Sequence, residues 1–244
     1  PRISNFTDFN VFELIPHVSL RYVKKPRDLG NPDMILLPGS KNTIEDLLWL
    51  RQSGLEDMIL RKAGQGTIIF GICGGYQMLG EVLSDPCHVE TGGMVKGMGL
   101  LPIDTIFSRT KTRSRVKGSF LALEGDLSLL SGAPIEGYEI HMGNSIQHGE
   151  AKPLTFFEDK VNGITKLCGT WEGNVYGTYL HGIFDVGDTA EKVVRAIGEK
   201  KGIDLSEIPV TDFGQMKESQ YDHLAEELRK HLDMDKIYEI LNEG

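Results

Sequence analysis

The sequence is short of cations and of cysteine, and it has no long apolar run. Lys and Arg number 26 against 35 Asp and Glu, a formal net charge of −9. Nucleic-acid binding needs clustered cations to neutralise phosphates, so this balance argues against nucleic acid as a partner. The three cysteines, Cys73, Cys87 and Cys168, form no CxxC pair. A scattered odd set supports neither a disulfide framework nor a zinc ribbon, and it fits a reduced, cytoplasmic setting. No apolar stretch reaches the roughly 18 residues that span a bilayer, and no charged-then-apolar leader opens the chain. No membrane partner is therefore expected. No Gly-Lys dipeptide occurs in the 244 residues, which excludes a Walker A phosphate loop from this chain. No pair of the seven histidines has metal-ligand spacing, so no metal is expected either.

What is present is ordinary globular text: 40% hydrophobic, 25% charged and 29 glycines. A chain of this length buries enough surface to fold without staples. One basic run stands out, Lys111 to Lys117 (KTRSRVK). It reads either as a solvated strand face or as a contact for an anionic ligand or partner. The opening Pro1-Arg2-Ile3-Ser4-Asn5-Phe6 has no Met and looks like mid-sequence text, so more chain is expected upstream.

Val18–Val23 (VSLRYV) and Met34–Leu37 (MILL) have the branched, alternating texture of strands. Asn42 or Thr43 can cap a helix running on to Leu50, and a second helix follows over Leu55–Lys62. Thr67–Ile72 is an almost unbroken apolar run, as in strands buried on both faces of a parallel sheet. After it, Tyr76 begins another helix. From Leu100 to Tyr179 short β-like stretches follow one another: 101–107, 113–120, 138–146, 164–171 and 175–180. Thr189–Lys201 and Phe213–Leu241 read as helices, the latter with Leu224, Leu228, Leu232, Ile237 and Leu241 on one stripe. The pattern predicts an α/β sheet, mostly parallel with helices on both faces, flanked by mixed or antiparallel strands. It also predicts one domain over 1–205, with a helical extension over 206–244 packed against it.

The chemistry concentrates in Phe70-Gly71-Ile72-Cys73-Gly74-Gly75-Tyr76-Gln77. A Cys between glycines, where a buried strand turns into a helix, has the grammar of a nucleophile elbow. Small neighbours relieve the crowding of the turn, and a helix N-terminus favours a thiolate and an oxyanion. Cys87 and Cys168 lack such a setting. A nucleophilic Cys needs a base, which is usually His. His181, in Gly177-Thr178-Tyr179-Leu180-His181-Gly182, ends a β-like run and would share a sheet edge with Cys73 if their strands are neighbours. His141, in Tyr138-Glu139-Ile140-His141-Met142-Gly143, is the competitor.

The segments ISNFTDF, LPGSKNTIEDLLWL, GICGGYQMLG, GYEIHMG and GTYLHGIF, in that order, resemble the glutaminase (class I glutamine amidotransferase) domains of the cobyric acid and cobyrinic acid diamide synthase group. LPGSKNT favours the cobyric acid branch. The resemblance covers Ile3 to about Asp185. It implies a flavodoxin-like fold, L-glutamine as substrate, Cys73 as nucleophile and His181 as its base. It further implies oxyanion N–H groups from Gly39 or Ser40 and from Gly74, and a role for Gln77 at the amino-acid end of glutamine. Class I enzymes carry Glu two residues after the His, where this chain has Ile183. The carboxylate that orients the imidazole is therefore missing or borrowed, with Glu139 and Asp185 as candidates. In these relatives ammonia is passed to an ATP- and Mg-dependent P-loop synthetase domain, which is expected upstream of Pro1. No cofactor is expected in this chain itself.

Overall fold

The computed structural model describes residues 3–160, 163–205, 207–209 and 213–242. Helices are α1 (Asn10–Glu13), α2 (Thr43–Ser53), α3 (Leu55–Gly64), α4 (Gly74–Leu79), α5 (Thr189–Lys201), α6 (Phe213–His231) and α7 (Met234–Asn242). Strands are β1 (Met34–Leu37), β2 (Ile68–Ile72), β3 (Val82–Asp85), β4 (Gly93–Lys96) and β5 (Ile103–Phe120). They continue with β6 (Pro134–Gln147), β7 (Lys152–Asp159), β8 (Thr165–Glu172) and β9 (Val175–Thr178). All belong to one sheet in the order β1-β2-β9-β8-β7-β5-β3-β4, with β6 added on β5.

The centre is the parallel block β1-β2-β9, and β8, β7, β5 and β6 continue it as an antiparallel flank. Every residue of β2 is buried. Its isoleucines and Phe70 contribute about 1.5–3 kcal/mol each on leaving water. At one end of the block, α2 starts where the Asn42 side chain accepts the Glu45 N–H. It ends at Gly54, which adopts a left-handed φ of 76° and hands the chain directly to α3.

Three expectations are corrected. Val18–Val23 is not a strand: it pairs with no strand among the described residues, and β1 remains an edge. Val18, Leu20 and Val23 nevertheless pack on the core. Their alternation reports one-sided burial, which an extended segment achieves without a ladder. The two stretches 101–107 and 113–120 are one strand, β5, whose register with β6 shifts between Ile106 and Lys111. The helical tail, expected to pack against the domain, comprises α6 and α7 and among the described residues packs on the core only at its root. Phe213 is buried and Met216 touches the core, whereas Leu224, Leu228, Leu232 and Leu241 are exposed.

Candidate active site

Parallel pairing of β2 with β9 sets Ile72 beside Thr178, and the Cys73 N–H donates to the Thr178 carbonyl at 2.8 Å. The two chains therefore leave the sheet side by side, Cys73 into α4 and His181 into the loop after β9. Cys73 has φ 52° and ψ −110°, a left-handed backbone that costs a non-glycine residue on the order of 1–3 kcal/mol. The packing of the turn holds it there. A Cβ on Gly71 would meet the backbone of Gly75 and Tyr76 at 2.7 Å, and one on Gly75 would run into the Leu37 carbonyl. A side chain on Gly74 would stand 2.8 Å from the Ser40 nitrogen. The glycines of the motif thus let α4 approach both its own strand and the turn after β1.

That turn, Gly39-Ser40, closes one wall. A Cβ on Gly39 would lie 3.1 Å from His181 Cε1 and 3.5 Å from Cys73 Cβ. The expected oxyanion donors, at Gly39 or Ser40 and at Gly74, are brought together around Cys73. The Ser40 hydroxyl is directed away, donating to Asp46. Opposite, the Ile140 carbonyl of β6 stands 3.9 Å from the Cys73 sulfur.

His181 is buried, and its Nδ1 lies 2.7 Å from Asp8 Oδ2. Asp8, equally buried, has its other oxygen filled by the Asn5 side-chain amide at 2.9 Å and the Gly182 N–H at 3.1 Å. The Asn5 amide also donates to the Tyr138 hydroxyl at 2.8 Å, and the Tyr138 ring stacks on His181 at 5.1 Å. Burial opposes a charge on the imidazole, but hydrogen bonds to Asp8 and Cys73, with their charges, outweigh it and lift the His181 pKa to about 9. With Nδ1 committed to Asp8, Nε2 is the nitrogen left for the thiol.

Asp8 is the residue that sequence reasoning missed, and with it the role expected of Glu139 or Asp185 is corrected. Glu139 is buried elsewhere, where its carboxylate takes Lys166 Nζ at 2.6 Å, the Ser114 hydroxyl at 3.1 Å and the Cys168 thiol at 3.2 Å. Asp185 lies in the turn after His181, its N–H donating to the Gly182 carbonyl. Neither supplies the carboxylate at His181 Nδ1. The usable signal was the Asp within ISNFTDF, which chain order places far from His181 but which the fold returns to it. The same segment holds the Gly39 turn, since the Ser4 N–H donates to the Gly39 carbonyl at 2.9 Å.

Gln77 is also placed differently from expectation. Its amide is buried one turn behind Cys73, accepting from the Thr43 hydroxyl at 3.0 Å and donating to the Met142 carbonyl at 3.1 Å and the Tyr179 hydroxyl at 3.2 Å. These contacts make it a brace between α4, α2, β6 and the segment after β9 rather than a free hook for substrate. His141, the competing base, stacks on Tyr179 at 3.7 Å, with Nδ1 against the Gly143 carbonyl at 3.0 Å. Burial pushes its pKa down, so it stays neutral. Cys168 is a buried thiol whose pKa is pushed up to about 12, first by burial and then by Glu139, and such a thiol is unreactive.

Solved glutamine amidotransferases share the fold. One such crystal structure aligns with a TM-score of 0.53 at 15% identity, covering 82% of this chain and 96% of that one. A structure of PurLQS from Thermotoga maritima aligns with a TM-score of 0.55 at 20% identity, covering 82% of this chain and 95% of that one. Identities this low speak for the fold alone. Residues 1–189 match the family model described as a CobB/CobQ-like glutamine amidotransferase domain, and the chain belongs to that family. Its curated relatives include a cobyric acid synthase of Lachnoclostridium phytofermentans, 49% identical over all of this chain and 49% of that protein. Another, from Ruminiclostridium cellulolyticum, is 47% identical over all of this chain and 48% of that protein. The chain therefore spans about half the length of the curated relatives it matches.

Proposed function

We propose that this chain is the glutaminase half of a cobyric acid synthase, and that Cys73, His181 and Asp8 form its catalytic triad. The observation that carries the mechanism is the buried Asp8–His181 pair at 2.7 Å, directed at a cysteine on a strained turn.

Below about pH 9 the proton shared by Cys73 and His181 rests on the imidazole, where Asp8 stabilises it, and the thiolate sulfur of Cys73 attacks the carboxamide carbon of glutamine. The oxyanion that develops is held by backbone N–H groups of the Gly39-Ser40 turn and of Gly74. Each such donor typically accounts for about 3–4 kcal/mol of the barrier. The imidazolium returns its proton to the departing nitrogen, the C–N bond breaks, and ammonia leaves with a thioester on Cys73. His181 then takes a proton from water, and the resulting hydroxide cleaves the thioester to glutamate and the free thiol. Gln77 and Tyr138 touch no reacting atom in this scheme. They brace β6 and the imidazole.

Ammonia made here is consumed by a synthetase half that amidates corrin carboxylates with ATP and Mg. A second reading, a cysteine hydrolase acting on esters or peptides, shares the elbow but has no need of the Gly39 turn. Two experiments test the function. A glutamine-directed alkylator should label Cys73 alone among the cysteines, and the isolated chain should hydrolyse glutamine without ATP. Ester or peptide turnover above glutamine turnover would overturn the reading.

A further inference from the structure

The basic run Lys111–Lys117 takes no part in the site just described. It lies in β5, where alternation puts Lys111, Arg113, Arg115 and Lys117 on one exposed face, with Ser114 and Val116 buried behind it. The row is about 20 Å long at ~3.3 Å per residue.

Across β6 the row divides in two. Lys117 faces Glu136 and pairs with it at 3.2 Å, with Glu158 of β7 on its other side. Lys111, Arg113 and Arg115 face Met142, Ile140 and Tyr138, and among the described residues no carboxylate forms an ion pair with any of the three. The ladder with β7 begins only at Val116, and apart from the Arg115 carbonyl, which accepts the Lys160 N–H at 2.7 Å, this part of β5 is paired on one side alone.

Charges on an open strand edge serve to prevent edge-to-edge pairing. That function does not call for apolar mates on the same face, yet Tyr138 and Ile140 are 40% and 39% exposed there. Arginine with tyrosine and methionine is the composition of a protein–protein contact. The position is equally specific, because Tyr138 covers His181 and the Ile140 carbonyl touches the Cys73 sulfur. The free cations therefore border the place where ammonia is released.

We infer that this face of the β5–β6 ribbon is the docking surface for an acidic patch on the ammonia-accepting half of the enzyme. The inference rests on the function proposed above. The occupant is argued from three facts. The relatives are about twice as long as this chain, so a second half exists to be seated. Unpaired cations on a chain of net charge −9 select an acidic partner. The unpaired row, about 13 Å from Lys111 to Arg115, is also larger than the one carboxylate that glutamine could offer it.

The test uses the full-length polypeptide that carries this chain, with the double substitution Lys111→Glu and Arg113→Glu. Three rates are read: glutamine-dependent amidation, ammonia-dependent amidation, and glutamine hydrolysis by the isolated chain. The double variant should lose about tenfold in glutamine-dependent amidation at low salt, and raised salt should weaken the parent in the same direction. Ammonia-dependent amidation and isolated hydrolysis should hold, the latter also showing that the variant folds. The neutral pair Lys111→Gln and Arg113→Gln should fall between. An unchanged glutamine-dependent rate would overturn the inference. A raised KM for glutamine in the isolated chain would do so too, by assigning these cations to the glutamine site. If the parent hydrolyses glutamine but amidates no acceptor, the proposed function fails, and the docking inference with it.

Discussion

The turn that carries Cys73 is made from one unbroken run of text, whereas the surroundings of His181 are assembled from three distant segments. Strand β2, Cys73 and helix α4 follow each other within Ile68–Leu79. His181 depends on Asp8, 173 residues away, and on Tyr138 of β6. The contrast separates two kinds of precision. The cysteine's position follows from local sterics: glycines permit close approach, and a left-handed φ aims the side chain. The histidine's position follows from a buried charge whose partners must all arrive, because an unsatisfied Asp8 would cost several kcal/mol in that interior.

Four outcomes sharpen or break this comparison, in order of expected size. Cys73→Ser should reduce glutamine hydrolysis by about 10⁶-fold, as loss of a nucleophile does elsewhere, with the melting temperature little changed. Turnover near that of the parent would remove the sulfur from the mechanism. Gly75→Ala should cost about 1–3 kcal/mol of stability, because its methyl group must displace the Leu37 backbone; a denaturant titration reads this directly.

The third outcome concerns pH. His181 titrates at about 9 in the fold against about 6.5 when unfolded, so the native state keeps a proton that the unfolded chain releases. The stabilisation from this pair is complete below about pH 6.5 and is lost as pH rises through about 9. Melting temperature should therefore fall between pH 7 and pH 9.5 more steeply in the parent than in Asp8→Asn. Equal slopes would mean that the pair carries no such charge. The smallest effect is that of His141→Ala, which removes a stacking contact and one hydrogen bond. It should cost about 1 kcal/mol of stability and leave glutamine turnover within an order of magnitude.

The same contrast explains what could be read from the sequence. The parallel centre was legible because β2 is a continuous apolar run between helix signals, and the elbow because glycine and cysteine spacing is a local constraint. Pairing of β2 with β9 could be stated only as a condition, and the structure meets it. The acid at His181 was present in ISNFTDF but its role was not legible: Glu139 and Asp185 are close to His181 or His141 in the text, but closeness in sequence says nothing about which carboxylate a fold buries. Strand β7 escaped notice because Pro153 and charged residues interrupt its alternation. The strand read into Val18–Val23 failed for the opposite reason, since its alternation is real and its ladder is not.

The most direct test of the triad is the kinetics of Asp8→Asn, which keeps the shape of the side chain and removes its charge. The account predicts a loss in kcat of about 10³–10⁴-fold, with the alkaline limb of the pH profile, near 9 in the parent, moved to lower pH. Glu139→Gln, measured alongside, should leave that limb in place. Parent-like turnover and an unmoved alkaline limb in Asp8→Asn would contradict the account.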